Sequence, residues 1–195
     1  MPVDLVEETI ASGGRRIRVA RPRRPEDLLD EEAFEHEEFL PYWAELWPSA
    51  LSLVEALGRR DLHAARVAEL GCGLALPSVA AALGGARVLA TDWSDDALAA
   101  ARRNARLNGV YVETLRCSWA EPAALVARAP FDLVLASDVL YERRNAGPLL
   151  ALLPQLGSEV LLADPGRPAL PAFLARAAER WQVTGGSRVH RLRAR

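Results

Sequence analysis

Lysine is absent from this chain of 195 residues, so all 24 basic residues are arginine. This excludes a Walker A loop, because that loop uses a Lys to contact phosphates. Cysteine is also scarce. Cys72 and Cys117 are the only two, and neither belongs to a C-x-x-C pair. The pattern excludes a disulfide framework and favours a reduced protein without structural zinc. The histidines at 36, 63 and 190 are isolated and lack metal-ligand spacing, so no metal site is predicted.

Long hydrophobic runs are missing as well. Charged residues or proline interrupt each apolar stretch, so no segment is expected to span a bilayer. The first ten residues, MPVDLVEETI, are acidic and lack the apolar centre of a signal peptide. The chain is 50% hydrophobic and 26% charged, which is typical of a globular protein with one full core. We therefore expect a cytoplasmic protein that does not associate with membranes.

The net charge of −2 argues against a general binder of polyanions, although the charge is unevenly distributed. An arginine-rich stretch near the N-terminus is followed directly by an acidic stretch. We interpret them as a solvated hairpin and a solvated helix, while contact with nucleic acid or with a basic substrate remains an alternative. The two stretches comprise Arg15, Arg16, Arg18, Arg21, Arg23 and Arg24, and then Asp27, Asp30, Glu31, Glu32, Glu35, Glu37 and Glu38.

Hydrophobic periodicity predicts an α/β fold. Short apolar strands alternate with helices, which indicates a Rossmann-like, doubly wound, mostly parallel seven-stranded sheet with helices on both faces. An N-terminal arm, residues 1–40, precedes this domain, which covers residues 41–195. Within the sheet domain, Ser49 is a predicted N-cap, and a late helix is predicted from Leu170 to Trp181. The arm contains a predicted hairpin at 5–20 and a predicted helix at 26–39, and the strands are predicted at 66–70, 86–92, 112–118, 131–137 and 159–165, with two β-like stretches in the tail.

Candidate ligand-binding residues directly follow the predicted strands, because open α/β sheets bind ligands beyond the carboxyl ends of their strands. After the first strand, Gly71 and Gly73 permit a sharp turn and a close approach of a ligand to the backbone. A dinucleotide fingerprint needs a further glycine at position 76, where this chain has Leu76. At the end of the second strand, Asp92 can accept hydrogen bonds from both hydroxyls of a ribose. Trp119 follows the third strand and can stack on an adenine ring.

These residues resemble the first two motifs of class I S-adenosylmethionine-dependent methyltransferases, in the segments ELGCGLALPS and ATDWS. The resemblance implies that the glycine turn holds the methionine part of the cofactor and that the acid after the second strand holds the ribose. Many members have a third glycine where this chain has Ala75, and we expect a tighter turn there. No nucleic-acid-type N-P-P-[YF] motif is present in SDVLY, which makes nucleic acid an unfavoured acceptor. The implied cofactor-binding residues are Glu69, Gly71, Gly73, Asp92 and Trp119, to which we add Cys72, Trp93 and Ser137.

A narrower resemblance joins PYWAELWPSA, SDVLY and ADPGRP, at roughly residues 39–168. Together they resemble the seven-strand protein lysine methyltransferases with a D-x-x-Y motif, and most of all the enzymes that modify the electron-transfer-flavoprotein β-subunit. The resemblance implies that Trp43 and Trp47 lie along the cofactor pocket. Their aromatic faces favour a sulfonium or an ammonium group.

The expected chemistry is an in-line transfer of a methyl group to an amine. Asp138 and Tyr141 are the predicted catalytic residues: Asp138 orients the amine or receives its proton, and Tyr141 shapes the channel. Arg167 contacts a substrate carboxylate or pairs with a surface acid. The predicted function is methylation of a protein lysine, with S-adenosylhomocysteine as the second product. The alternatives are a small-molecule N-methyltransferase acting on a nicotinamide-like amine, and an S-adenosylmethionine-binding module without turnover.

Overall fold

The computed structural model describes residues 3–28 and 41–195. A central sheet has seven strands, which are β3 (Arg66–Leu70), β4 (Arg87–Asp92), β5 (Glu113–Arg116), β6 (Leu133–Ser137), β7 (Glu159–Ala163), β8 (Trp181–Gly185) and β9 (Val189–Ala194). Their order across the sheet is β5-β4-β3-β6-β7-β9-β8. The first five strands in chain order pair in parallel, whereas β9 pairs antiparallel with both β7 and β8. Strand order reverses between β3 and β6, which are neighbours, so the switch point lies at their carboxyl ends.

Helices cover both faces of this sheet, which confirms the predicted doubly wound fold. Neighbouring strand residues belong to two different core clusters. Val67 packs with one cluster and Ala68 with the other, as expected for a strand that is buried on both sides. The α-helices within the described residues are α1 (Pro48–Leu57), α2 (Leu76–Leu83), α3 (Asp95–Leu107), α4 (Ala123–Val126), α5 (Ala146–Leu156) and α6 (Leu170–Ala177). Residues of α1 to α3 belong to the first cluster, and residues of α4 to α6 belong to the second.

The predicted N-terminal hairpin is present as β1 (Leu5–Ser12) and β2 (Arg15–Pro22), which pair antiparallel. Ile17 of β2 is buried in the first core cluster. Asn104 of α3 and Asn108, the C-cap residue of that helix, hold the hairpin in place. Asn104 Oδ1 accepts a hydrogen bond from the backbone N–H of Ala20 at 2.8 Å, and Asn108 bonds both the N–H and the carbonyl of Arg18. The hairpin is therefore packed against the sheet domain through apolar and polar contacts.

Ion pairs neutralise much of the arginine-rich stretch. Four of its six arginines form an ion pair with a carboxylate that lies within residues 4–27, which favours the solvated hairpin over a phosphate-binding surface. The pairs are Arg18 with Glu7, Arg21 with Glu8, Arg23 with Asp4, and Arg24 with Asp27.

Two details of the predicted helices are wrong. Helix α1 begins at Pro48, because the fixed φ of proline suits the first helical position. Ser49 therefore lies inside the helix and does not cap it. Helix α6 ends at Ala177, and Trp181 opens β8, where it is paired with Ala194. Of the helix predicted at 26–39, the structure describes a 3-10 turn at Pro25–Leu28, and the remainder lies outside the described residues. No helix within 3–28 and 41–195 is both long and apolar enough to cross a membrane.

Candidate active site

A cavity of about 980 Å³ lies at the carboxyl ends of β3, β4, β5 and β6. Its walls come from the turns that follow these strands and from the segment that precedes α1. The structure brings together all the predicted site residues there except Glu69. Those that line the cavity are Trp43, Trp47, Gly71, Cys72, Gly73, Asp92, Trp93, Trp119, Ser137, Asp138 and Tyr141.

The turn between β3 and α2 depends on two glycines with left-handed backbones. Gly71 has φ of 62°, and a Cβ there would meet the Trp119 ring at 3.2 Å. Gly73 has φ of 48°, and its Cβ would meet the carbonyl oxygen of Trp43 at 3.1 Å. Ala75 also has a left-handed backbone, with φ of 59°, and its N–H bonds the Cys72 carbonyl at 2.7 Å. The turn is tight, and the missing side chains keep space next to the two tryptophans.

Glu69 lies beneath this turn and does not line the cavity. Its Oε2 accepts hydrogen bonds from the backbone N–H and the hydroxyl of Ser78 in α2, so it ties β3 to the start of the following helix. Burial raises the pKa of Glu69 to about 8, and the bonds from Ser78 lower it in part. Its contribution to the cavity in this structure is to hold the turn.

Asp92 connects the two turns that face the cavity. Its Oδ2 accepts from the N–H of Gly73 at 3.0 Å, and its Oδ1 accepts from the N–H of Ser94 at 3.0 Å. Burial raises the pKa of Asp92, while these bonds oppose the shift. Each carboxylate oxygen can accept more than one hydrogen bond, so the group can still receive two hydroxyl donors.

Asp138 begins the turn after β6 in a left-handed conformation, with φ of 56°. Its N–H donates to the carbonyl of Ala163 at the end of β7. Its Oδ1 accepts from Nε and Nη2 of Arg167 at 3.1 and 2.8 Å, whereas Oδ2 is buried without a partner among the described residues. Arg167 thus pairs with a buried acid of the cavity wall. The alternative that it pairs with a surface acid is wrong.

Aromatic rings line the same cavity as this acid. The Tyr42 and Tyr141 rings lie 5.5 Å apart between centroids, and those of Tyr42 and Trp47 lie 6.4 Å apart. Trp47 Nε1 donates to the carbonyl of Tyr42, which fixes the indole. The two tyrosines are about 40% exposed, so they form the outer part of the cavity. Burial is the main cause of the raised pKa of Tyr141.

Sequence reasoning assigned no site role to Tyr42, left the role of Arg167 open, and missed Asn104. Asn104 Nδ2 donates to the carbonyl of Leu74 in the glycine turn at 3.0 Å. Tyr42 is adjacent in sequence to Trp43, in the aromatic segment PYWAELWPSA, and this position could have indicated a site role for it. Asn104 lies in the middle of a helix and gave no local signal.

The cavity fits S-adenosylmethionine by the chemistry of its walls. The glycine turn leaves room that a side chain would fill, a buried carboxylate can receive hydroxyl groups, and aromatic rings can receive a flat base or a sulfonium. No cluster of potential metal ligands occurs in the part of the chain that the structure describes.

Comparison with known proteins agrees with this picture. A family model described as lysine methyltransferase matches residues 38–163. The histone-arginine methyltransferase METTL23 of Xenopus laevis is 34% identical over 110 residues, which are 53% of this chain and 47% of that protein. The ribosomal protein L11 methyltransferase of Ectopseudomonas mendocina is 34% identical over 134 residues, 68% of this chain and 42% of that protein. The chain therefore spans less than half the length of these two relatives.

Solved structures are also similar to this chain. The ribosomal protein L11 methylase of Lactobacillus delbrueckii subsp. bulgaricus has 29% identity and a TM-score of 0.56, covering 75% of this chain and 77% of that one. The Thermus thermophilus 16S rRNA N2 G1207 methyltransferase has a TM-score of 0.73 and covers 100% of this chain and 52% of its own. At 15% identity, the second match supports the fold alone.

Proposed function

Because the chain belongs to the lysine methyltransferase family, we propose that it is an N-methyltransferase that acts on a lysine side chain of a protein. Membership confirms the class expected from the sequence, an S-adenosylmethionine-dependent methyltransferase. The finer resemblance, to enzymes that modify the electron-transfer-flavoprotein β-subunit, stays a prediction.

We assign the cofactor to the inner part of the cavity. The turn at Gly71 and Gly73 would hold the methionine part through its backbone, and Asp92 would accept the ribose hydroxyls. Trp119 would stack on the adenine. Cys72, Trp93 and Ser137 would line the same space. When bound, S-adenosylmethionine supplies a methyl group on a positively charged sulfur, which leaves as the thioether of S-adenosylhomocysteine.

The observation that carries the proposal is the buried Asp138 in the cavity wall. A buried carboxylate oxygen without a hydrogen-bond donor is costly, so its partner is expected to come from a ligand. An amine nitrogen provides such donors. We assign Asp138 the orientation of the acceptor nitrogen for in-line attack, a geometry that contributes much of the rate in transfer reactions.

The aromatic group favours a lysine side chain as the acceptor. Tyr42, Trp47 and Tyr141 line the same cavity as Asp138, and aromatic faces attract cations and pack against methylene chains. The tyrosine rings are exposed at the outer part of the cavity, where the side chain of a folded protein can enter. The names of METTL23 and of the ribosomal protein L11 enzymes describe protein methylation by those relatives, which agrees with a protein acceptor here.

The test uses isotope-labelled S-adenosylmethionine and a soluble extract of the organism that encodes this chain. The chain contains no lysine, so a labelled lysine side chain must come from the acceptor. Asp132→Asn is the control for Asp138→Asn. Asp132 precedes β6, at the opposite end of the strand from Asp138, and does not line the cavity. We expect label on a protein lysine, identified by mass spectrometry. Asp138→Asn should lower the rate about 100-fold with unchanged affinity for S-adenosylmethionine, and Asp132→Asn should keep the wild-type rate.

Each other distribution of label contradicts the proposal in its own way. Label on arginine would make the acceptor a guanidinium, and label only in the small-molecule fraction would indicate an amine N-methyltransferase. Label on nucleic acid would indicate a nucleic-acid methyltransferase, with the N-terminal arginines as a candidate binding surface. Intact cofactor binding without any label would indicate a binding module without turnover.

A further inference from the structure

Arg167 contacts two distant segments of the chain as well as its own turn. Its guanidinium bonds Asp138 Oδ1 and lies 5.7 Å from the centroid of the Trp47 ring. Its backbone N–H donates to Asp164 Oδ1 at 2.7 Å, and the same oxygen accepts from the N–H of Gly166. Asp164 is 1% exposed, so a buried carboxylate holds the backbone of the turn that carries Arg167. The Arg167 guanidinium is therefore a positioned charge at the cavity wall.

This position bears on the charge of the acceptor. A lysine amine carries a proton at neutral pH and then has no lone pair to attack a methyl group. A buried carboxylate alone would stabilise that ammonium form and oppose the reaction. A guanidinium bonded to the carboxylate cancels its charge, and a nearby cation lowers the pKa of an amine.

We propose that Arg167 keeps the acceptor amine in its uncharged, nucleophilic form by pairing with Asp138, while Asp138 still accepts a hydrogen bond from the acceptor nitrogen. The inference rests on the proposed function and makes Arg167 a positioning residue. The acceptor ammonium first releases a proton to water. Its nitrogen lone pair then forms the N–CH₃ bond as the S–CH₃ bond breaks, and that electron pair stays on sulfur.

Other titratable groups surround the pair. All of these groups are present in the wild type and in the variants of Arg167, so the comparison of Arg167→Met with Arg167→Lys isolates the effect of the charge at position 167. Tyr141 belongs to the same turn as Asp138, and His190 is electrostatically coupled to Asp164. Burial lowers the pKa of His190. The remaining charged residues that line the cavity are Glu45, Asp92, Arg116, Glu121, Glu142 and Arg144.

The test measures the initial rate of labelling as a function of pH, from about 6 to about 10. The probe is the same protein extract with labelled S-adenosylmethionine, and the rate is read on the most strongly labelled protein band. The variants are Arg167→Met, which removes the charge, and Arg167→Lys, which keeps it. Arg60→Met is the matched control, because Arg60 is 26% exposed against 25% for Arg167 and pairs with Glu159 at the other end of the sheet. Calorimetry measures the affinity of each variant for S-adenosylmethionine.

We expect the rising part of the Arg167→Met profile to move by about one pH unit towards alkaline pH, which lowers the rate at neutral pH about tenfold. Arg167→Lys and Arg60→Met should keep the wild-type profile, and cofactor affinity should be unchanged in all three. A lower rate for Arg167→Met with an unmoved profile would overturn the inference, and so would an equal shift in Arg167→Lys. If the wild type binds cofactor but labels no protein, the proposed function fails and this inference fails with it.

Discussion

Gly71→Ala separates the backbone requirement of the glycine turn from its contact with Trp119. A left-handed backbone costs an L-residue about 1–2 kcal/mol, and the stiffer unfolded chain offsets about 0.4–1 kcal/mol of this. The net loss in the free energy of unfolding is therefore about 1 kcal/mol. The new Cβ also lies 3.2 Å from the Trp119 ring, which must move by a few tenths of an ångström. Because that ring lines the cavity, we also expect the affinity for S-adenosylmethionine to fall about tenfold, which is about 1.4 kcal/mol of binding free energy.

Gly109→Ala is the matched control for this change. Gly109 follows the C-cap of α3 with φ of 68°, close to the 62° of Gly71, but nothing lies within 4 Å of its Cβ position. Urea unfolding should show a similar loss of stability for both variants. Calorimetric titration with S-adenosylmethionine should show weaker binding for Gly71→Ala alone. Equal affinities in the two variants would refute the assignment of this turn to the cofactor.

Two further predictions concern buried polar residues next to the turn. Asn104→Leu leaves the N–H of Ala20 and the carbonyl of Leu74 without a side-chain partner, so urea unfolding should show a loss of about 2 kcal/mol; an unchanged midpoint would contradict the role of this side chain. Glu69 has a folded-state pKa of about 8, raised from 4.5, so the folded state keeps a proton that the unfolded chain has lost. Stability should therefore fall as pH rises from about 5 to about 8, by at most about 1.4 kcal/mol per pH unit, and Glu69→Gln should remove that slope.

Local patterns predicted the sheet and the turns after its strands that form the cavity wall. Parallel strands are buried on both faces and read as short apolar runs, and the residues after them meet at one edge because all five strands point the same way. This is why Asp92, Trp119 and Asp138 could be assigned to one site from their positions alone. Tyr141, three residues after Asp138, also lines the cavity, because a turn begins directly after β6.

Tertiary contacts decided the features that the sequence left open. The apolar spacing from Leu170 to Trp181 continues a helical period, but pairing with Ala194 makes Trp181 the first residue of a strand. Arg167 and Asp138 are 29 residues apart, and their ion pair depends on β6 and β7 lying side by side. Periodicity and turn chemistry carry no information about such a pair.

The position of Asn104 has a consequence for how the N-terminal hairpin relates to the cofactor. One carboxamide bonds the hairpin through Ala20 and the glycine turn through Leu74. Coupling free energies are reciprocal, so if a molecule bound to the hairpin changed cofactor affinity, the cofactor would change the affinity for that molecule by the same factor. Asn104 is the side chain through which such a molecule would act on the glycine turn without entering the cavity.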